Sequence, residues 1–363
     1  MASVAVSGKS SSDSFQPFEF ETTLKVVADS STLKVVPSKF NFSNEPTAFT
    51  SDSLPIVDFS ALIAGGGDQR SKALHDLAEA CREWGFFILV NHGIPESLMN
   101  ATFTAIKQFL SLPDSEKKQY EAKSASDPIK CGNFNVANTS NQSFTLWRDY
   151  LKLYVHPEFH CPHQPQLLRE VVLEYTERTR KLASKLTEAV CNALELDEHY
   201  VDEVLKMGST FQLFAANYYP PCPQPDQAIG IPPHTDHGLF TFLIHNGVAG
   251  LQIEHEGKWF NADSPKNSIL VNAADQLEIL SNGRFKSVKH RAVVNSERER
   301  ISIVVANGPS GEAVVGPAAA LVEKDGRALY GSMKYEEYIE SQLTKSRFDG
   351  KSLLEQQMIV PDN

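Results

Sequence analysis

Apolar positions in the first half of the chain recur at helical spacing, and in the second half they condense into short, turn-bounded runs. After the Gly65-Gly66-Gly67 break, Leu74, Leu77, Ala78, Cys81 and Trp84 fall on one helix face. Leu98, Phe103, Ile106, Phe109 and Leu110 mark a second helix that ends near Leu112-Pro113. Residues 166–194 carry Leu168, Val171, Tyr175, Leu182, Leu186 and Ala193 at the same period and read as a long packing helix. Residues 54–59 fit a short strand, and residues 85–91, apolar as far as Val90, fit a buried one.

From Thr210 onward the rhythm changes. Residues 239–244, 250–254, 268–271, 291–295 and 300–306 read as strands, with Asn246-Gly247, Glu256-Gly257 and Asn282-Gly283 as turns between them. Short strands with regular turns predict an α+β fold: two sheets rolled into a double-stranded β-helix, or jelly roll. Helices from the first half brace it, and residues 335–343 add a C-terminal helix. The expected divisions are 1–50, a polar extension that is partly disordered; 51–207, helical; 208–312, the core; and 313–363, a C-terminal helical segment. A chain of 363 residues buries a large core without disulfides or a structural metal.

Net charge is −11 and no basic stripe forms, which argues against nucleic acid and anionic membranes as partners. The longest strongly apolar run, 85–90, is far too short to span a membrane. Residues 1–14 lack the apolar stretch of a secretory signal, and the early Asp13, Glu19 and Glu21 speak against a transit peptide. Cys81, Cys131, Cys161, Cys191 and Cys222 are odd in number and lack a Cys-x-x-Cys pair. They read as reduced, buried thiols of a cytoplasmic protein. A monomer acting on a small molecule is the expectation.

His234-Thr235-Asp236 places two metal-ligating side chains on one face of a strand, because residues i and i+2 point the same way. His290 can supply a third ligand from another strand. Two imidazoles and a carboxylate leave three positions open on an octahedral ion, the arrangement of non-haem Fe(II) oxygenases. Arg300 and Ser302 repeat the spacing and offer a guanidinium fork with a hydroxyl, suited to a dicarboxylate. Singly, each has an ordinary reading: His234 a core imidazole, Asp236 a turn carboxylate, His290 a neighbour to Lys286, Lys289 and Arg291. His156, His160 and His163 sit in a Pro-rich stretch, 155–165, read as solvated loop.

The ordered motifs add a resemblance. Asn217-Tyr218-Tyr219-Pro220-Pro221-Cys222-Pro223-Gln224-Pro225 precedes Pro233-His234-Thr235-Asp236, Gly250-Leu251-Gln252, Ser281-Asn282-Gly283, Lys286 to Arg291 and Arg300-Ile301-Ser302. Upstream stand Leu54-Pro55-Ile56-Val57-Asp58, Trp84-Gly85-Phe86-Phe87 and Asn91-His92-Gly93-Ile94-Pro95. Over roughly residues 50 to 345 the chain resembles plant 2-oxoglutarate/Fe(II)-dependent dioxygenases of specialised metabolism.

That resemblance implies Fe(II) held by His234, Asp236 and His290, with O₂ at an open position and ascorbate as reductant. The 2-oxoglutarate distal carboxylate is expected at Arg300 and Ser302, joined by Tyr219 and with Asn217 at the same end. The implied reaction releases succinate and CO₂ while hydroxylating, O-demethylating or desaturating a small hydrophobic plant metabolite. Phe134, Phe214 and Ala306 are the candidate substrate-facing residues. Ala306 stands where relatives often carry an aromatic, and Cys131-Gly132-Asn133-Phe134 replaces a Gly-Tyr-Gly of flavonoid-active members. His237, His245 and His255 lack matching positions and read as surface or loop residues. An Fe(II)/ascorbate oxidase independent of 2-oxoglutarate, a hormone-inactivating dioxygenase and a non-catalytic binding jelly roll stay open. The Tyr218-Tyr219 doublet favours the 2-oxoglutarate user, and three intact ligands speak against a dead fold.

Overall fold

The computed structural model describes residues 23–29, 33–42, 53–124, 126–133, 135–137, 143–344 and 353–359. Its strands in chain order begin with β1 Ile56–Asp58, β2 Phe86–Val90, β3 Ile129–Gly132, β4 Asn135–Ala137, β5 Ser143–Thr145 and β6 Asp149–His156. The next are β7 Phe211–Tyr219, β8 Ile231–His234, β9 Phe240–His245, β10 Leu251–His255 and β11 Lys258–Asn261. The last are β12 Ile269–Ala273, β13 His290–Ala292, β14 Arg300–Gly308, β15 Val314–Val315 and β16 Met333–Lys334.

Eight strands form one sheet in the order β1-β2-β12-β9-β14-β7-β6-β3, and four form a second, β11-β10-β13-β8. All pairs are antiparallel except β1 with β2. The faces of the large sheet divide by residue parity. On one, Leu151, Leu153, Phe214, Phe242, Ile303 and Val305 join a core with Leu77, Ile106, Leu168 and Leu186. Those last four come from helices Gly67–Glu79, Glu96–Leu110 and Gln166–Ala193. On the other face, Phe86, Ile88 and Leu270 pack against Leu251, Ile253 and Phe260 of the small sheet. Burying each such side chain contributes about 1.5–3 kcal/mol relative to leaving it in water.

Register fixes what else lies on this inner face. One row runs Asn272, Thr241, Ala306, Leu213 and Tyr154 across β12, β9, β14, β7 and β6. The next runs Leu243, Val304, Ala215, Lys152 and Lys130. A third holds His245, Ser302, Asn217 and Tyr150.

Three differences from the sequence reading have physical causes. Residues 149–156 form a strand whose alternating pattern ends where the 155–165 loop was expected to start. Asn282-Gly283 follows the helix Asp275–Leu280 and does not join two strands; both residues have positive φ (52° and 79°). Part of the expected polar extension is packed: Leu24, Val36 and Phe40 are buried against Trp147, Tyr219 and Cys222. Their spacing follows no helical or strand period, so pattern alone could not reveal them. The rest of that extension, residues 1–22, 30–32 and 43–50, lies outside the described residues, and so does the expectation of partial disorder there.

Candidate metal and co-substrate site

His234 ends β8, Asp236 lies two residues beyond it, and His290 opens β13 directly opposite His234. One carboxylate oxygen, Asp236 Oδ1, is 3.7 Å from His234 Nε2 and 3.6 Å from His290 Nε2. Among the described residues this is the group of metal-ligating side chains that converges, its donor atoms all within 4.8 Å of one another. Each imidazole Nδ1 faces a backbone carbonyl two residues back, Pro232 at 2.8 Å and Val288 at 3.1 Å. A carbonyl can only accept, so Nδ1 carries the proton and each Nε2 lone pair is left for a metal. Burial and the adjacent His290 push the His234 pKa down to about 3, keeping its ring neutral. Burial alone would raise the Asp236 pKa, but the two imidazoles and hydrogen bonds hold it down, at about 2. Two imidazole nitrogens and an ionised carboxylate are the donor set that suits Fe(II).

Arg300 and Ser302 begin β14 opposite Tyr219 and Asn217 of β7. Arg300 is 98% hidden from solvent, and its Nε has no hydrogen-bond partner among the described residues, although it carries charge. Its guanidinium carbon lies 5.2 Å from the Tyr219 ring centroid. Asn217 donates to Ser302 Oγ at 3.4 Å and accepts from Arg148 Nη1 at 3.2 Å. A desolvated cation whose donors are only partly satisfied is costly to the fold unless an anion arrives to meet it. A dicarboxylate bound beside the triad would supply that anion.

Residues 210–309 match the 2OG-Fe(II) oxygenase superfamily, and residues 54–171 match the family described as non-haem dioxygenase in morphine synthesis N-terminal. Over 304 residues the chain is 44% identical to 2-oxoglutarate-dependent dioxygenase 19 of Oryza sativa subsp. japonica, covering 83% of this chain and 89% of that protein. The chain belongs to the 2OG-Fe(II) oxygenase superfamily. It is a dioxygenase that takes Fe(II), 2-oxoglutarate and O₂. Thebaine 6-O-demethylase of Papaver somniferum is 34% identical over 348 residues, covering 90% of this chain and 93% of that one. A crystal structure of JOX2 in complex with 2OG, Fe and JA superposes with a TM-score of 0.82 at 28% identity, covering 94% of this chain and 99% of that one.

Around the dioxygenase's triad stands a supporting layer that spacing could not reveal. Asn272 of β12 donates to Asp236 Oδ2 at 2.9 Å, which leaves Oδ1 facing the imidazoles. Asp275, fully buried, accepts from Ser287 at 2.6 Å, Tyr338 at 2.8 Å and Thr235 at 3.3 Å. Its backbone N–H also donates to the Asp236 carbonyl at 2.9 Å, so the ligand-bearing turn is held from both sides. The edge of Phe86 meets the His290 ring, with centroids 5.3 Å apart.

The three expected substrate-facing residues fare differently. Ala306 shares the inner face with Arg300 and Ser302. Phe214 does not: it pairs with Val305 and Leu153 and is wholly buried in the helix-side core, because strand parity turns it away from Asn217. Phe134 lies outside the described residues. Two histidines read as surface or loop are integrated elsewhere. His245 sits in β9 opposite Ser302, its pKa pushed down to about 4 by burial and by Arg300. His255 stacks on Trp84 at 4.0 Å.

Proposed function

We propose that this dioxygenase oxidises a C–H bond of a small, largely apolar plant metabolite, with His234, Asp236 and His290 as the iron ligands. Arg300, Ser302, Tyr219 and Asn217 form the 2-oxoglutarate seat. The two facing sheets are read as a double-stranded β-helix whose inner face carries both. The observation that carries the reading is the buried Arg300 guanidinium, its Nε without a hydrogen-bond partner among the described residues, on the inner face of the large sheet while the small sheet carries His234 and His290. When bound, Fe(II) supplies O₂ activation coupled to decarboxylation of 2-oxoglutarate.

The chain's own residues then have definite tasks. Arg300 neutralises the distal carboxylate, Ser302 adds a hydroxyl bond, and Tyr219 packs on the guanidinium so that it cannot swing away. Asn272 holds Asp236 so that one oxygen serves the metal. Val304, Ala306 and Leu213 give the inner face between these seats an apolar floor. Hydroxylation, O-demethylation and desaturation share this machinery, and the similarity to a protein named for O-demethylation supports that group of outcomes. Unpaired thiols support a reduced, cytoplasmic protein, and a net charge of −11 speaks against nucleic acid and anionic membranes as partners. No helix among the described residues is long and apolar enough to cross a membrane.

The test is succinate release by the Fe(II)-loaded enzyme with 2-oxoglutarate, O₂ and ascorbate, screened against plant metabolites. Succinate formed only when both Fe(II) and 2-oxoglutarate are present supports the reading. Turnover with ascorbate alone, independent of 2-oxoglutarate, sinks it.

A further inference from the structure

The inner face carries a second group of cations, of which only Arg148 reaches the 2-oxoglutarate seat, through Asn217. Lys152 of β6 and Lys130 of β3 are directly opposite each other in register, and Lys152 also neighbours Ala215 of β7. Arg148, just before β6, is 94% hidden from solvent, and its Nε has no hydrogen-bond partner among the described residues. Tyr150 lies between them, 5.5 Å from the Arg148 guanidinium carbon and 5.5 Å from Lys152 Nζ. Lys130 Nζ donates to the Tyr154 hydroxyl at 3.2 Å.

Such a grouping is unfavourable for the fold by itself. Like charges facing each other across antiparallel strands repel, and burying a cation without a counter-charge costs more still. Burial, then Arg148 and Lys130, pushes the Lys152 pKa down to about 7; the Asp236 carboxylate opposes them. A charge arrangement that destabilises the empty site is what a pocket for an anion looks like. Next to it the same face is apolar and small: Val304, Ala306, Leu213 and Ala215 separate these cations from Asn272, which holds Asp236.

We infer that the substrate is an amphipathic carboxylic acid whose carboxylate docks on Arg148 and Lys152. Its apolar body then lies over Val304, Ala215 and Ala306, presenting a C–H bond toward the triad. This rests on the dioxygenase reading of the site and specifies its substrate class. Arg148 also holds the Asn217 side chain, so one guanidinium touches both the co-substrate seat and the substrate's head. Tyr150, packed between the two cations, limits where they can move.

Isothermal titration of the enzyme loaded with Fe(II) and saturating 2-oxoglutarate, without O₂, tests this with benzoate, phenylacetate and cinnamate against their primary amides. The parent should bind at least one acid tenfold or more tighter than its amide. Lys152→Met and Arg148→Met should each bring that ratio close to one, and Lys152→Arg should keep it. If Arg148→Met fails to fold in a thermal melt, Lys152→Met decides alone, since its side chain is only partly buried at a strand position. Equal binding of acid and amide across the panel, no binding of any acid, or an unchanged ratio in Lys152→Met overturns the inference. So does acid binding seen only when 2-oxoglutarate is left out, because that assigns the anion to Arg300. Succinate release by the parent separates the two readings. Its absence under all conditions removes the dioxygenase assignment, whereas its presence with no acid preference removes only the carboxylate.

Discussion

Gly250 illustrates how a single hydrogen can make room for a buried arginine, here the one proposed to seat 2-oxoglutarate. With φ at +150°, a Cβ there would stand 2.8 Å from Arg300 Cδ and 2.8 Å from the Val293 carbonyl oxygen. Gly250→Ala should therefore displace the guanidinium and raise the 2-oxoglutarate dissociation constant, with little change in iron affinity. Arg300→Lys swaps the planar fork for a point charge and should cost about 2–5 kcal/mol of co-substrate binding, the range for truncating a buried charged contact. Titration of 2-oxoglutarate into the iron-loaded variants checks both, and parent-like affinity in Arg300→Lys would remove that residue from the seat. Asn272→Ala frees Asp236 to rotate and should weaken iron binding by about 10–100-fold, the usual effect of losing such a support. At this scale the sequence was most legible where chemistry follows strand period. His234 and Asp236 share a face because they are two apart, and so do Arg300 and Ser302. Asn272, Asp275, Arg148 and Lys152 carried no such signal, since their roles depend on which strands become neighbours.

Register is the level at which the pocket becomes readable. Phe214 is one residue off the face that carries Asn217, and that single step sends it into the helix-side core. Ala306 is an even number of residues from Arg300 and stays on the inner face, beside Thr241 and Leu213. Ala306→Phe should fill space over the apolar floor and raise the substrate KM. Substrate-free succinate formation should remain, because the proposed iron and co-substrate contacts lie elsewhere; an unaltered KM, or loss of uncoupled turnover as well, would count against placing Ala306 in the pocket. The N-terminal strap is a second element-level feature. Asp149 accepts the backbone N–H groups of Leu24 and Lys25 at 3.0 and 2.8 Å. Burial raises its pKa to about 6 despite those donors. A folded pKa above the unfolded one means that its contribution is complete below about pH 4 and is lost as pH climbs through about 6. Melting temperatures of parent and Asp149→Asn measured from pH 4 to 8 should diverge across that window, the parent falling relative to the variant. Parallel curves would show that Asp149 does not titrate there.

For the whole molecule, the long helices and the strand-rich half were legible because each carries its own period. The strap was not, because Leu24, Val36 and Phe40 meet only in three dimensions, on Trp147, Tyr219 and Cys222. That meeting point gives a test of how the molecule opens. All five cysteines are unpaired and buried. Burial pushes the thiols of Cys81, Cys131, Cys161 and Cys191 up to about 12 and that of Cys222 up to about 11. Thiolate is the reactive form, so the native enzyme should be inert to a thiol reagent at neutral pH and should release five equivalents when unfolded. Cys222 differs in what covers it. Cys81, Cys131, Cys161 and Cys191 belong to the large core between sheet and helices, whereas Cys222 lies in the smaller cluster closed by the strap. A short segment that packs few side chains should open at a lower free energy than the core does. Mass-spectrometric mapping of label in mild denaturant should therefore find Cys222 modified first, while 2-oxoglutarate still binds. Leu24→Ala should bring that labelling forward by opening a cavity under the strap, a change that costs about 2–5 kcal/mol at a fully buried leucine. Simultaneous labelling of all five in parent and variant would mean that the strap unfolds only with the core.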